Sequence, residues 1–245
     1  MKDLPPIGPN EALFLDFDGT LVDLAPRPED VRVSDDVIVA LSHLQDRLDG
    51  ALAVVSGRPI AQIDAFLAPL HLPAAGLHGL EHRHTVDADI ERTKPGPEIR
   101  ALKGVVRNSG LLEKGVYLED KGATLALHYR SVPAMEEAVV RLMSEALEAL
   151  PALHIIRGKM VVEAKPYASD KGSAVRSFLE HAPFKGRKPV FVGDDVTDED
   201  GIAAAQDAGG IGIKVGDGET CARYRLNDVA AVHDWLAGKT TVSET

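Results

Sequence analysis

Leu13-Phe14-Leu15-Asp16-Phe17-Asp18-Gly19-Thr20-Leu21 decides how this chain reads. Three apolar residues run into two carboxylates spaced two apart, and a glycine and a hydroxyl follow. A buried strand ends on two acids where a cation or a reaction needs them. Alternate strand residues point the same way, but Gly19-Thr20 ends the strand, so the second acid can leave its axis. One carboxylate can then act as a nucleophile and the other as a proton donor beside it.

Outward from this stretch, short runs rich in valine and alanine recur at 12–15, 51–55, 73–77, 190–192 and 211–215. They predict strands buried on both faces. Between them lie amphipathic stretches. Ser34 is a good N-cap, with Asp35 and Asp36 in the first turn, and Val37, Leu41, Leu44 and Leu48 keep helical spacing. Pro59 sits where a helix begins, followed by Ile60, Ile63, Phe66 and Leu67. Further helices are predicted over 173–180, 199–205 and 229–236. Alternating strands and helices indicate an α/β fold, a Rossmann-like parallel sheet with helices on both faces.

Residues 92–166 break the rhythm. They read as a helix at 97–108, strands at 115–119 and 124–129, a helix at 134–150, and strands at 154–157 and 160–163 around a Gly158-Lys159 turn. Hairpins with helices on one face describe a small α+β unit. The predicted organisation is a discontinuous core, 1–91 and 167–245, carrying an inserted cap domain at 92–166.

The composition narrows the partners. The chain has 245 residues, 44% hydrophobic and 27% charged, as in ordinary globular proteins. A formal net charge of -11 disfavours nucleic acid and anionic membranes, which need a positive face. The single cysteine, Cys221, cannot form an internal disulfide and fits a reducing compartment. No signal peptide and no membrane-length apolar run is visible, so the protein reads as cytoplasmic. The sequence does not give the oligomeric state.

Open parallel sheets bind ligands at the carboxyl ends of their strands. Asp16, Asp18 and Thr20 follow the first strand, Ser56-Gly57-Arg58-Pro59 follows the second, and Gly193-Asp194-Asp195-Val196-Thr197-Asp198-Glu199-Asp200 follows a later one. Asp170-Lys171-Gly172-Ser173 heads a predicted helix before that. Together they suit one phosphoryl-transfer site. Asp16 and Asp194 would share Mg2+, a hard cation that takes carboxylate oxygens and substrate phosphate. Thr20 or Ser56, with backbone N–H groups around Gly19 and Gly57, would bind phosphate oxygens. Lys171 would set a fixed positive charge between phosphate and Asp16, which answers the repulsion that an acidic chain presents to an anionic ester.

These motifs, in this order and with an insert between the second and third, resemble the haloacid-dehalogenase-like phosphatase superfamily. The resemblance implies that Asp16 is phosphorylated and that Asp18 protonates the leaving oxygen and then activates water. It adds the Asp18 backbone carbonyl to Asp16 and Asp194 as metal ligands, and has Asp195 and Asp198 order the metal's waters or Lys171. Within the insert, Glu119-Asp120-Lys121 leading to His128-Tyr129-Arg130, and Gly158-Lys159-Met160-Val161-Val162-Glu163, are similar to trehalose-6-phosphate phosphatases. So is Gly76-Leu77-His78-Gly79-Leu80-Glu81. No fused synthase domain is seen, so the resemblance is to the stand-alone form. It implies a sugar-phosphate substrate contacted by Arg58, Glu119, Lys121 and Glu163, with His128 and Arg130 supporting the hairpin and His78 a loop residue. Cap closure would hinge near 92–97 and 164–170. The alternatives are another capped sugar phosphatase, for sucrose phosphate or mannosyl phosphoglycerate, and a non-catalytic phosphosugar sensor.

Overall fold

In a computed structural model, residues 4–25, 30–158, 160–167 and 169–239 are described. The chain opens with β1 (Glu11–Leu15), α1 (Asp35–Arg47), β2 (Leu52–Val55), α2 (Ile60–Leu67), β3 (Ala74–Gly76), β4 (Glu81–Arg83) and β5 (Glu91–Arg92). Next come α3 (Pro97–Arg107), β6 (Tyr117–Asp120), β7 (Leu125–His128), α4 (Glu136–Glu148), β8 (Leu153–Gly158) and β9 (Val161–Pro166). Last are α5 (Lys171–Leu179), β10 (Lys188–Gly193), α6 (Asp198–Asp207), β11 (Ile211–Val215), β12 (Tyr224–Leu226) and α7 (Val229–Leu236).

These elements divide into two compact units. One takes residues from 1–91 and 170–245, the other from 92–169. The second unit runs past Pro166 because the chain stays bonded to it: Tyr167 N–H donates to the Ala152 carbonyl at 2.9 Å and Ser169 N–H to the Pro166 carbonyl at 3.1 Å.

In the first unit, one sheet has the strand order β12-β11-β10-β1-β2-β3-β4-β5. β1 lies between β10 and β2 and is parallel to both. Leu13, Phe14 and Leu15 are fully buried, and each such side chain contributes roughly 1.5–3 kcal/mol by leaving water. Phe14 faces Phe178 of α5 and Phe184, at centroid separations of 5.7 and 5.4 Å. Leu13 and Leu15 point the opposite way. The sheet is mixed rather than wholly parallel, because β4 runs antiparallel to β3. The reversal is made by Leu77, His78 and Gly79, all at positive φ (51°, 56° and 91°).

One predicted cap makes no bond, and one helix starts earlier than the sequence reading has it. Ser34 occupies the N-cap of α1, but its side chain makes no capping bond. α5 starts at Lys171, two residues before 173, because Asp170 accepts from Ser173 N–H and the Ser173 hydroxyl accepts from Asp170 N–H. This capping box sets Lys171 in the first turn.

The inserted unit has its own antiparallel sheet, ordered β6-β7-β9-β8. Leu125, Leu127, Val162 and Ala164 are buried in one apolar cluster with Ile99, Leu102 and Val106 of α3 and Val139 and Met143 of α4. Strand alternation puts Tyr117, Glu119, Ala126, His128 and Glu163 on the other face. The turn residue Lys159 lies outside the described residues. Among those described, no helix is long and apolar enough to cross a membrane.

Candidate active site

Parallel pairing brings the carboxyl ends of β1 and β10 side by side, and Asp16 N–H donates to the Val192 carbonyl at 2.9 Å. Lys171 Nζ reaches between the two strand ends. It donates to Asp16 Oδ1 and to Asp198 Oδ1, both at 2.7 Å. All three side chains are buried. The second oxygen of Asp198 accepts N–H groups from Asp194 at 3.1 Å and Asp195 at 3.0 Å. Asp195 in turn accepts from the Thr197 amide and hydroxyl, each at 2.7 Å. Asp198 therefore anchors Lys171 and shapes the loop, while Asp195 closes the turn that leads into α6.

Asp16, Asp194 and Asp198 each present a carboxylate oxygen within 4.8 Å of the others. Asp198 is saturated by the donors just named, whereas Asp194 Oδ1 is buried with no hydrogen-bond partner. An orphaned carboxylate oxygen beside Asp16, in an all-oxygen donor set, fits a hard divalent cation. Gly19 is part of the fit. A Cβ there would lie 2.1 Å from Asp194 Oδ2, and its φ of +80° is one that side chains rarely adopt.

The charges agree with that fit. Burial pushes the Asp16 carboxyl up to about 6, with Lys171 pulling it back down. Burial and the neighbouring Asp16 push Asp198 up to about 7. Burial alone would lower Lys171, but Asp16 and Asp198 together hold its ammonium above the usual lysine range. Burial, Asp198 and Asp195 raise Asp194. Asp195 is held low: burial opposes its charge, and Lys171 and the Thr197 bonds outweigh it. The carboxylates Asp16, Asp194, Asp195 and Asp198 outnumber the two ammonium groups that act on them, Lys171 and Lys214, and a divalent cation would neutralise the remainder.

Asp18 lies off this cluster. Both of its oxygens accept from Arg58, Oδ2 from Nε and Oδ1 from Nη2, each at 2.6 Å. The guanidinium sits 5.6 Å from the Phe17 ring centroid and 5.1 Å from that of Phe66, which fixes its plane. Arg58 thus meets the second aspartate, a contact not foreseen for it. The pair lines a cleft of about 470 Å³ with Leu24, Ala25, Gly57, Pro59 and Gln62. Among the phosphate-binding candidates, Thr20, Ser56 and Lys171 are buried and Gly57 is half-buried. Thr20 is fully buried, and its hydroxyl oxygen has no partner. Ser56 Oγ accepts from Arg58 N–H at 3.1 Å. Gly57 lies against His78, whose Nε2 would be 2.7 Å from a Cβ there.

Sequence reasoning missed two supports. Lys214 is buried, donates to the Asp194 carbonyl and lies 3.9 Å from Glu199 Oε1. Its signal was a lysine inside the apolar run Ile211-Gly212-Ile213-Lys214-Val215, where only a partnered charge is stable. Glu81 Oε2 accepts from Ile60 N–H at 2.8 Å, tying β4 to the first turn of α2 directly behind Arg58.

In the inserted unit, the sheet face opposite the apolar cluster holds a connected polar strip. Lys121 Nζ is 3.3 Å from Glu163 Oε2 and 3.8 Å from Glu119 Oε2. Thr124 Oγ1 donates to Glu163 Oε1 at 2.7 Å, and His128 Nε2 is 2.8 Å from Glu119 Oε2. Glu119, Lys121 and Glu163 are therefore together, with His128 behind Glu119 and Arg130 exposed.

The family model described as trehalose-phosphatase matches residues 14–230. The chain is 38% identical over 241 residues to the trehalose-6-phosphate phosphatase of Escherichia coli (strain K12), covering 98% of this chain and 91% of that one. It is 42% identical over 208 residues to a probable trehalose-phosphate phosphatase of Sinorhizobium fredii, covering 84% and 78%. In fold it resembles the solved Aspergillus fumigatus trehalose-6-phosphate phosphatase, with a TM-score of 0.70 at 24% identity over 95% of this chain and 93% of that one.

Proposed function

The chain belongs to the trehalose-phosphatase family, and from that premise we propose that it hydrolyses trehalose 6-phosphate to trehalose and phosphate, with Mg2+ as its cation and Asp16 as the nucleophile. The observation that carries this reading is the junction of Lys171, Asp16, Asp198 and Asp194 at the neighbouring ends of β1 and β10.

Asp16 attacks phosphorus and the bond to the sugar oxygen breaks. Asp18 delivers the proton that the departing alkoxide takes up. Asp18 then removes a proton from water, which opens the acyl phosphate and returns Asp16. Asp16, Asp194 and the Asp18 carbonyl would hold Mg2+; when bound, it supplies positive charge to the phosphoryl oxygens and lets Asp16 approach them. Lys171 adds a fixed charge on the same side. The Thr20 hydroxyl, Ser56 and the amides near Gly57 bind the remaining oxygens.

The Arg58 pair adds a step. While both Asp18 oxygens accept from Arg58, neither is available to the leaving oxygen, so the pair must open before Asp18 acts on it. Arg58, parted from Asp18, then turns to the substrate. In the insert, Glu119, Lys121 and Glu163 bind sugar hydroxyls, and a site built to bond them rejects esters that lack them. The exposed thiol of Cys221 suits a reducing, cytoplasmic setting.

A panel of phosphate esters scored by phosphate release, with and without a chelator, tests the reading. Trehalose 6-phosphate should be preferred over sucrose 6-phosphate and mannosyl phosphoglycerate, with release stopped by EDTA and restored by Mg2+. An absence of preference would overturn the substrate, and chelator-resistant release would overturn the cation.

A further inference from the structure

The polar strip of the inserted unit does not stop at its charged residues. On the same face of the same strand, two residues before Glu119, stands Tyr117, 63% exposed. Its ring lies 5.8 Å from that of His128, tilted by 43°. The two residues are register partners on adjacent strands. His128 is in turn bonded to Glu119. Tyr117, His128, Glu119, Lys121, Glu163 and Thr124 therefore form one continuous path, aromatic at one end and charged at the other.

The length of this path matters. Tyr117 and Lys121 are four residues apart along an extended segment, about 13 Å, which is longer than one hexose. Across the sheet, Glu119 pairs with Ala126 and Ala126 with Glu163. The backbones of Glu119 and Glu163 are thus about 10 Å apart across a residue that contributes only a methyl group, and both carboxylates lean in toward Lys121 Nζ, at 3.8 and 3.3 Å. The charged end suits a ring that must be held in one orientation, since charge-assisted hydrogen bonds to hydroxyls are directional. The aromatic end suits a ring that needs only a surface. A pyranose shows a face of C–H groups, and a tyrosine covers it with little loss of conformational freedom.

We propose that Tyr117, backed by His128, is a platform for the hexose that does not carry the phosphate, and so makes the enzyme prefer a disaccharide ester to a monosaccharide ester. This rests on the reading of the protein as a trehalose 6-phosphate hydrolase. The phosphorylated hexose takes the charged end and is bound alike in both esters. The second hexose is present only in the disaccharide.

Steady-state hydrolysis of trehalose 6-phosphate and glucose 6-phosphate by the full chain with Mg2+, wild type against Tyr117→Ala and Tyr117→Phe, tests it. Tyr117→Ala should lower kcat/KM for the trehalose ester about tenfold, mainly through KM. It should leave the slow reaction with glucose 6-phosphate within a factor of about two, and Tyr117→Phe should retain the wild-type preference. An equal loss on both esters, or none on the trehalose ester, overturns the platform while leaving the function intact. A wild-type protein inactive on the trehalose ester overturns the function, and the platform with it.

Discussion

Lys171 stands between two buried carboxylates that one ammonium cannot neutralise, and two consequences follow for single residues. The first concerns protons. Burial raises Asp16 to about 6 and raises Asp194 as well. A raised pKa means that below about pH 6 a proton occupies a carboxylate proposed to hold the cation, so proton and metal would compete. The Mg2+ concentration giving half of the maximal thermal stabilisation should fall as pH rises from 5.5 to 7.5 and level off above; a pH-independent midpoint would rule out Asp16 as a ligand. The second concerns Gly19. A methyl group there meets the Asp194 carboxylate at 2.1 Å, and the residue sits at a φ of +80°. Gly19→Ala should lower phosphate release by at least about a hundredfold and weaken stabilisation by Mg2+, with far-UV circular dichroism unchanged. Normal Mg2+ stabilisation in that variant would show that the close approach is not needed.

At the scale of elements, β4 shows how three residues serve two faces. Glu81 and Arg83 turn to α2, where Glu81 caps Ile60 and Arg83 forms a two-point bond to Asp64 at 2.8 and 2.6 Å. His82 faces the other way, and His82, His84 and His181 follow one another at 5.4 and 4.6 Å between centroids beside Phe178. Burial lowers His82 and His84, and like charge lowers them further, His84 acting on His82 and His181 on His84; Glu91 pulls both back. The unfolded chain keeps the ordinary value near 6.5. As pH drops below that, it takes up protons the folded state refuses, and stability falls. With Mg2+ saturating, the wild-type melting temperature should drop between pH 7 and pH 5.5 more steeply than that of His84→Asn; parallel curves would remove the stack from the account. β4 was invisible in the sequence because three residues give no period, and its partner is set by the turn at Leu77–Gly79. β12 escaped for the same reason. β1 was legible because apolar residues ran into Asp16 and Asp18 without a break, and β7 because Leu125 and Leu127 alternate with Ala126 and His128. The site residues could be read as a set at strand ends, but their pairings could not. That Asp18 goes to Arg58, and that Asp198 rather than Asp195 holds Lys171, depends on side-chain directions which spacing leaves open.

For the whole molecule, the decisive fact is that the two units bury two separate apolar clusters, one including Phe14, Phe178 and Phe184, the other Leu102, Val139 and Met143. A chain with two cores has no reason to unfold in one step. The candidate cation ligands Asp16 and Asp194 belong to the first unit alone, and a ligand stabilises only the part whose folded state it binds. Calorimetry should therefore show Mg2+ raising one transition and leaving the other in place. Met143→Ala removes a fully buried side chain from the inserted unit and should cost that unit about 2–5 kcal/mol. Its transition should fall by several degrees while the Mg2+-sensitive one keeps its midpoint. If both transitions moved together in Met143→Ala, the units would share their stability. The inserted unit could not then be regarded as an independent module added to a complete α/β core.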